Sequence, residues 1–183
     1  TLEGFLKGHQ QVRFVAVSTK GQAVTFMYDL LTSDNNVVRI HESVKANKWL
    51  QARAVVRRYE VGGRKQALYF QAHAEEGKAV KLGPGNITAI QRRNDVLVVV
   101  LRGAKSLRLD QESVDLDYVE EIYTEEGTTK GNPIEKIKGQ HSVVSARIPP
   151  SKNPSSFEII SAVVSDLTAA KKLISSGAGE LPV

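Results

Sequence analysis

Residues 48–65 read Lys48-Trp49-Leu50-Gln51-Ala52-Arg53-Ala54-Val55-Val56-Arg57-Arg58-Tyr59-Glu60-Val61-Gly62-Gly63-Arg64-Lys65. From Leu50 to Val56 the stretch alternates with the two-residue period of a half-buried strand. Leu50, Ala52, Ala54 and Val56 fall on one side. Gln51, Arg53 and Arg57 fall on the other, together with Trp49 and Val55. Arg58 follows at the strand end, and Gly62-Gly63 turn the chain into Arg64 and Lys65. Such a strand has an aliphatic face for a core and a guanidinium face for solvent. Two meanings are open: a solvated face that keeps the chain soluble, or one stave of a flat cationic platform that neutralises phosphates.

The flanking segments extend a β-rich pattern. Thr1 to Gln11 reads as an arm, Val12 to Ser18 as a strand, Lys20-Gly21 as a turn, and Gly21 to Leu31 as a second strand. Ser33-Asp34-Asn35-Asn36 is turn chemistry. Val37 to His41 is a short strand with Arg39 and His41 on one side. After residue 65, Ala67 to Phe70 extend a strand, and Ala72 to Leu82 is open to a short helix stopped by Gly83-Pro84-Gly85, with Gly77 as its weak point. A second series then runs through Asn86 to Arg92, the wholly apolar Val96 to Leu101, and Ala104 to Leu109. Gly127 to Gly139 reads as a mobile loop and Val143 to Ile148 as a last strand. Ser155 to Ser175 has capping-box spacing (Ser155, Glu158) and an apolar stripe at helical intervals. It predicts the longest helix, suited to a core or a subunit contact.

Composition bounds the function. The chain has 183 residues, no cysteine and a net charge of +5. Disulfides, thiolate chemistry and cysteine-ligated zinc are therefore excluded. Residues 110–126 hold eight acids and no Lys or Arg; the rest carries 25 basic residues against 12 acidic ones, a balance of +13. Such segregation favours a polyanionic partner for the basic part. No run of about 20 apolar residues predicts a membrane span. The start at Thr1 reads as a mature or trimmed form.

No catalytic pattern emerges. His9, His41, His73 and His141 lack metal-ligand spacing, no phosphate-binding glycine loop or nucleophile elbow is present, and carboxylates do not pair across apolar strands. The sequence predicts no enzyme, no cofactor, no metal and no small-molecule substrate. Basic residues are better placed. Lys20, Arg39, Arg53, Arg57, Arg58, Arg64 and Lys65 lie on or near strands of the first series, and Arg92, Arg93, Arg102, Lys105 and Arg108 on or near those of the second. Tyr28, Trp49, Tyr59 and Tyr69 are interleaved with the first set as candidates to stack bases.

At Ser18-Thr19-Lys20-Gly21-Gln22-Ala23-Val24 the chain resembles the Lys-Gly-Lys-Ala-Ala-Leu motif of the Whirly family of single-stranded nucleic-acid binders. Tyr59-Glu60, Arg64-Lys65-Gln66-Ala67-Leu68, Lys81-Leu82-Gly83-Pro84, Ile148-Pro149 and Phe157-Glu158 are similar to later parts of that pattern, in order. The resemblance implies an α+β fold of two β-β-β-β-α repeats, about 12–83 and 86–177, in one domain over 1–183. Its two antiparallel sheets cross roughly perpendicular and helices assemble tetramers. Residues 110–139, which have no counterpart in the family pattern, read by composition as an acidic and Gly-Thr loop. The mitochondrial RNA-binding branch of this fold implies a heterotetramer with a homologous subunit. It also implies guide RNA and pre-messenger RNA as ligands, promotion of their annealing in RNA editing, and a mitochondrial matrix location with the transit peptide absent from the chain. Lys20 is the residue carried over by position. An organellar single-stranded-DNA binder and a viral matrix-type structural protein are the alternatives.

Overall fold

Three tight turns set the first half of the chain. Gly21, at φ 60°, joins strand β1 (His9–Lys20) to β2 (Ala23–Thr32). Asn35, at φ 57°, lies in the turn to β3 (Val37–Trp49). Leu50, at φ 52°, starts the two-residue turn to β4 (Ala52–Val61). Gly and Asn adopt positive φ cheaply, whereas Leu does so rarely. The computed structural model describes the backbone of residues 9–83, 86–103, 106–124 and 127–177, and the side chains of 12–83, 86–103 and 140–176.

The turn at Leu50-Gln51 corrects the reading of the central stretch. Trp49 ends one strand and Ala52 begins the next, directly opposite it. Residues opposite each other in an antiparallel pair share a face. Trp49 therefore joins Ala54 and Val56 in a buried cluster, only 1% exposed, instead of standing beside the arginines. The alternation from Ala52 to Val56 holds as expected, with Arg53 and Val55 exposed on the other face.

Eight strands form one antiparallel sheet in the order β1-β2-β3-β4-β11-β8-β7-β6, with β6 at Lys78–Lys81, β7 at Ile87–Gln91, β8 at Val96–Arg102 and β11 at Ser155–Val164. A second sheet has the order β5-β10-β9, from Leu68–Glu76, Gly127–Ile148 and Ser106–Thr124. One core lies between the sheets. There Tyr59, Phe70 and Phe157 meet with ring centroids 4.7–5.1 Å apart, surrounded by Leu30, Ile40, Val99 and Ile148. A second core lies on the opposite side of the large sheet, under helix α1 (Leu167–Gly177), where Ala170 and Leu173 cover Trp49, Val56, Val98 and Ile160. The large sheet is thus apolar on both faces along its middle, and β8 reads as a continuous aliphatic run for that reason.

This architecture replaces the α+β expectation of two β-β-β-β-α repeats. The open alternative of a helix over Ala72–Leu82 resolves as β5 and β6, which lie in different sheets. The chain crosses between them at Gly77, at φ 143°, whose N–H donates to Gln140 O at 2.7 Å. The helix expected over Ser155–Ser175 divides into β11 and α1. Phe157-Glu158-Ile159-Ile160-Ser161-Ala162-Val163-Val164 is rich in branched residues and buried on both faces, the signature of a central strand. The true helix cap is Asp166, whose Oδ1 accepts from Ala169 N at 2.8 Å. Helix α1 packs on the chain's own sheet, so its apolar side is used internally. Residues 127–139, expected as a mobile loop, are strand, and β10 pairs with β9 across the acidic stretch. The arm's first eight residues, Pro84-Gly85 and Lys105 lie outside the described residues, as do the side chains of Arg108 and of residues 110–126.

Candidate functional site

Strand register assigns the basic residues to faces. On the helix side of the large sheet, Arg13 of β1 stands opposite Asp29 of β2, which stands opposite Arg39 of β3. Farther along, Arg58 of β4 stands opposite Glu158 of β11, which stands opposite Arg102 of β8. Lys20, Lys45, His41 and Glu60 share this face by the same register. Six cations therefore face three carboxylates across six adjacent strands, about 24 Å at the usual strand spacing.

The two carboxylates are sunk and their arginines stand out. Asp29 accepts from Arg39 Nε at 2.7 Å and Nη2 at 3.0 Å, and from Arg13 Nη2 at 2.7 Å. Its side chain is 5% exposed, against 49% and 73% for the two arginines. Hydrogen bonds from Arg39 and then Arg13 hold the Asp29 pKa at about 2, outweighing the opposing effect of burial. Glu158 accepts from Arg58 Nε at 2.7 Å and Arg102 Nε at 2.5 Å. Burial pushes its pKa up, but the paired arginine hydrogen bonds prevail and the net direction is down. Each triad carries one net positive charge. Its guanidinium planes are fixed from below, and with five N–H donors to a guanidinium, Arg13, Arg39 and Arg58 have donors beyond those bonded to the carboxylates.

The other sequence candidates scatter. Arg53 and Arg57 lie on the opposite, inter-sheet face, and Arg57 Nη2 donates to Ala72 O at 2.5 Å. Arg64 is 4% exposed and donates to Gly62 O and Ser155 Oγ, so it serves the corner between β4 and β11. Arg92 is held by Asp95 and Glu75 at the turn before β8. Lys65 and Arg93 are exposed at bends outside the strands. Of the twelve candidates, Lys20, Arg39, Arg58 and Arg102 share one face. Arg13, Lys45, Asp29 and Glu158 complete it and were missed; their parity with Arg39 and Arg58 follows only once the registers are known. Of the stacking candidates, Trp49 is on this face but buried under helix α1; Tyr59 is in the core between the sheets, Tyr28 lines a recess, and Tyr69 is on β5.

That recess opens between the large sheet and β5, with a volume of about 640 Å³. Phe14, Phe26 and Tyr28 form its aromatic side. Glu42 sits at its base, where Oε1 accepts from Tyr59 Oη at 2.8 Å and Oε2 from Tyr28 Oη at 3.3 Å. Both phenol pKa values are pushed up, first by burial. His73, on the β5 side, contacts Ser161 Oγ through Nε2 at 2.7 Å and Glu75 through Nδ1 at 3.2 Å. Burial, then Arg57, lowers its pKa, so the ring is neutral at pH 7. Among the described residues no cluster of three or more His, Asp or Glu is arranged to hold a metal ion. No described helix is long and apolar enough to cross a membrane.

No family model matches the chain, and no curated protein matches it. Among solved structures, 85% of this chain superposes on heparan sulfate lyase HepC from Pedobacter heparinus, with a TM-score of 0.47 and 15% identity. A heparinase III gene product superposes on 87% of it, with a TM-score of 0.49 and 12% identity. In both cases the chain spans 22% of the other protein's length. These neighbours are enzymes by description, and the likeness is one of partial, mostly-β arrangement. The resemblance to the Whirly family and its mitochondrial RNA-binding branch is corrected by the fold: the strands do not form two β-β-β-β-α repeats.

Proposed function

We propose that this chain is a binding module for single-stranded RNA, which it holds without sequence preference on the helix-side face of its large sheet. The observation that carries the reading is the pair of Arg–carboxylate–Arg triads. They hold four half-exposed guanidinium groups on one open face, with the carboxylates beneath them. Lys20 and Lys45, both exposed, extend the same face. Phosphate oxygens approach from outside and take the outward N–H groups, releasing counterions. The stacking candidate on this face, Trp49, is buried under helix α1, so bases stay free and sequence is not read. A strand whose backbone charge is covered repels a second strand less, so annealing of two complementary RNAs is the expected consequence. The reading is of a binding protein rather than an enzyme.

The direct test is fluorescence anisotropy with a labelled uridine 20-mer, with oligo-dT and a sulfated polysaccharide as competitors at matched salt. RNA retained at least as well as the competitors supports the reading. Tighter binding of the sulfated polysaccharide assigns the face to another polyanion.

A further inference from the structure

The recess on the opposite face of the sheet has the chemistry of a small-molecule site. The geometry points to a planar aromatic ligand that carries a hydroxyl group, with its ring against Phe14 and Phe26 and its hydroxyl donating to Glu42. A volume of about 640 Å³ suits a ligand of one or two fused rings. Phe14, Phe26 and the rings of Tyr28 and Tyr59 give it an apolar side, and Glu42, Arg57, Gln71, His73 and Glu75 give it a polar one. Most of the polar groups there are engaged. Arg57 donates to the Ala72 carbonyl, and His73 and Glu75 hold each other while Glu75 also takes Arg92.

Gln71 lines the recess as well. Of the two carboxylates there, Glu75 is held by Arg92 while Glu42 is held by phenols alone. A carboxylate offers about four lone-pair positions. Here two are used, and the contact from Tyr28 at 3.3 Å is long for O–H···O. Two phenols already converge on this carboxylate, so a third phenolic donor meets the same chemistry. The platform is unusual for a folded surface: Phe14 is 62% and Phe26 37% exposed, on adjacent strands, facing the recess. Aromatic pairs gain about 0.5–1.5 kcal/mol beyond area burial, which favours a flat ring over an aliphatic chain. Glu42 is offset by Arg57, Glu75 is paired with Arg92 and His73 is neutral, so the local charge favours an uncharged ligand.

The test uses 2-naphthol as probe and 2-methoxynaphthalene as the analogue lacking the donor, followed by calorimetry and by saturation-transfer NMR on the whole chain. Saturable binding of 2-naphthol is expected, with the methoxy analogue about tenfold weaker, the value of one hydrogen bond to a charged acceptor. Phe14→Ala removes an exposed ring, leaves the fold intact, and is expected to weaken 2-naphthol binding several-fold. Glu42→Gln is expected to remove most of the discrimination between the two probes. Absence of saturable binding at millimolar probe, equal affinity for the two compounds, or unchanged binding in Phe14→Ala overturns the assignment. Because the recess and the RNA face lie on opposite sides of the sheet, RNA affinity in the presence of 2-naphthol is expected to stay the same.

Discussion

Arg39 grips Asp29 with two nitrogens, Nε at 2.7 Å and Nη2 at 3.0 Å, across the β2–β3 pair. The carboxylate is buried and the guanidinium half-exposed, so the acid orients the base for solvent. Removing the acid while keeping its shape isolates that role. Asp29→Asn is expected to cost about 1 kcal/mol or less, since both arginines are solvent-screened. The cost depends on pH. The Asp29 pKa is about 2 in the fold against an ordinary 3.8, so its contribution is full above the ordinary value. It fades as pH falls through about 2. Chemical denaturation between pH 5 and 1.5 checks this: the native chain loses more stability over that range than Asp29→Asn does.

The two faces of the sheet separate binding from bystander cations. Arg53→Ala combined with Arg57→Ala alters the inter-sheet face and is expected to leave RNA affinity within about twofold, far below the tenfold that 1.4 kcal/mol represents. Arg58→Ala combined with Arg102→Ala alters the helix-side face and is expected to weaken binding to every RNA sequence by about the same factor. Anisotropy titrations of the two double variants against two unrelated RNA sequences decide between the faces.

How much of this was legible in the sequence varies by element, for physical reasons. The turns at Gly21 and Ser33–Asn36 were readable because Gly and Asn take positive φ at low cost. The turn at Leu50 was hidden, because a leucine at φ 52° is held by its surroundings and announces nothing locally. That turn reverses the parity of Trp49 and moves it from the face of Arg53 and Arg57 to the helix-side core. Phe157 to Val164 misled through its apolar spacing, which a strand buried on both faces shares with a helix. The ends of β9 and β10 read as strand, in Ala104 to Leu109 and Val143 to Ile148. The acids of 110–126 and the Gly, Thr and Lys of 127–139 made the stretch between them read as loop. As for the candidate face, Arg39, Arg58 and Arg102 were visible as strand cations. Their union with Asp29 and Glu158 depends on pairings up to 100 residues apart, which no local pattern encodes.

His73 gives a second dependence on pH. Burial comes first and Arg57 second in lowering its pKa below the ordinary 6.5; Arg92 adds to this, and Glu75 opposes it. Ser161 Oγ holds Nε2 at 2.7 Å. The unfolded chain then takes up a proton near pH 6.5 while the fold resists it, so stability is full above that pH and declines below it. His73→Gln, which does not titrate, is expected to flatten the decline between pH 7 and pH 5. The NMR titration of the His73 ring is expected to have its midpoint below 6.5.

Gly77 is the point where the chain changes sheets. A Cβ there meets Gln91 O and Ile90 Cγ2, both at 2.7 Å, at a φ of 143°. Gly77→Ala is expected to destabilise the chain by about 1–3 kcal/mol. Gly21 has a positive φ but open space, so Gly21→Ala is expected to cost less. Paired thermal unfolding of the two variants measures the difference.

The salt dependence of RNA binding probes the cationic face most directly. With three to four phosphates engaged by the two triads and the flanking lysines, log K for the uridine 20-mer is expected to fall with log salt at a slope of about −2 to −3. Replacing Arg39, Arg58 and Arg102 together by alanine is expected to shrink that slope by about two and to weaken binding at low salt. A slope near zero in the native chain, or an unchanged slope in the triple variant, contradicts the account.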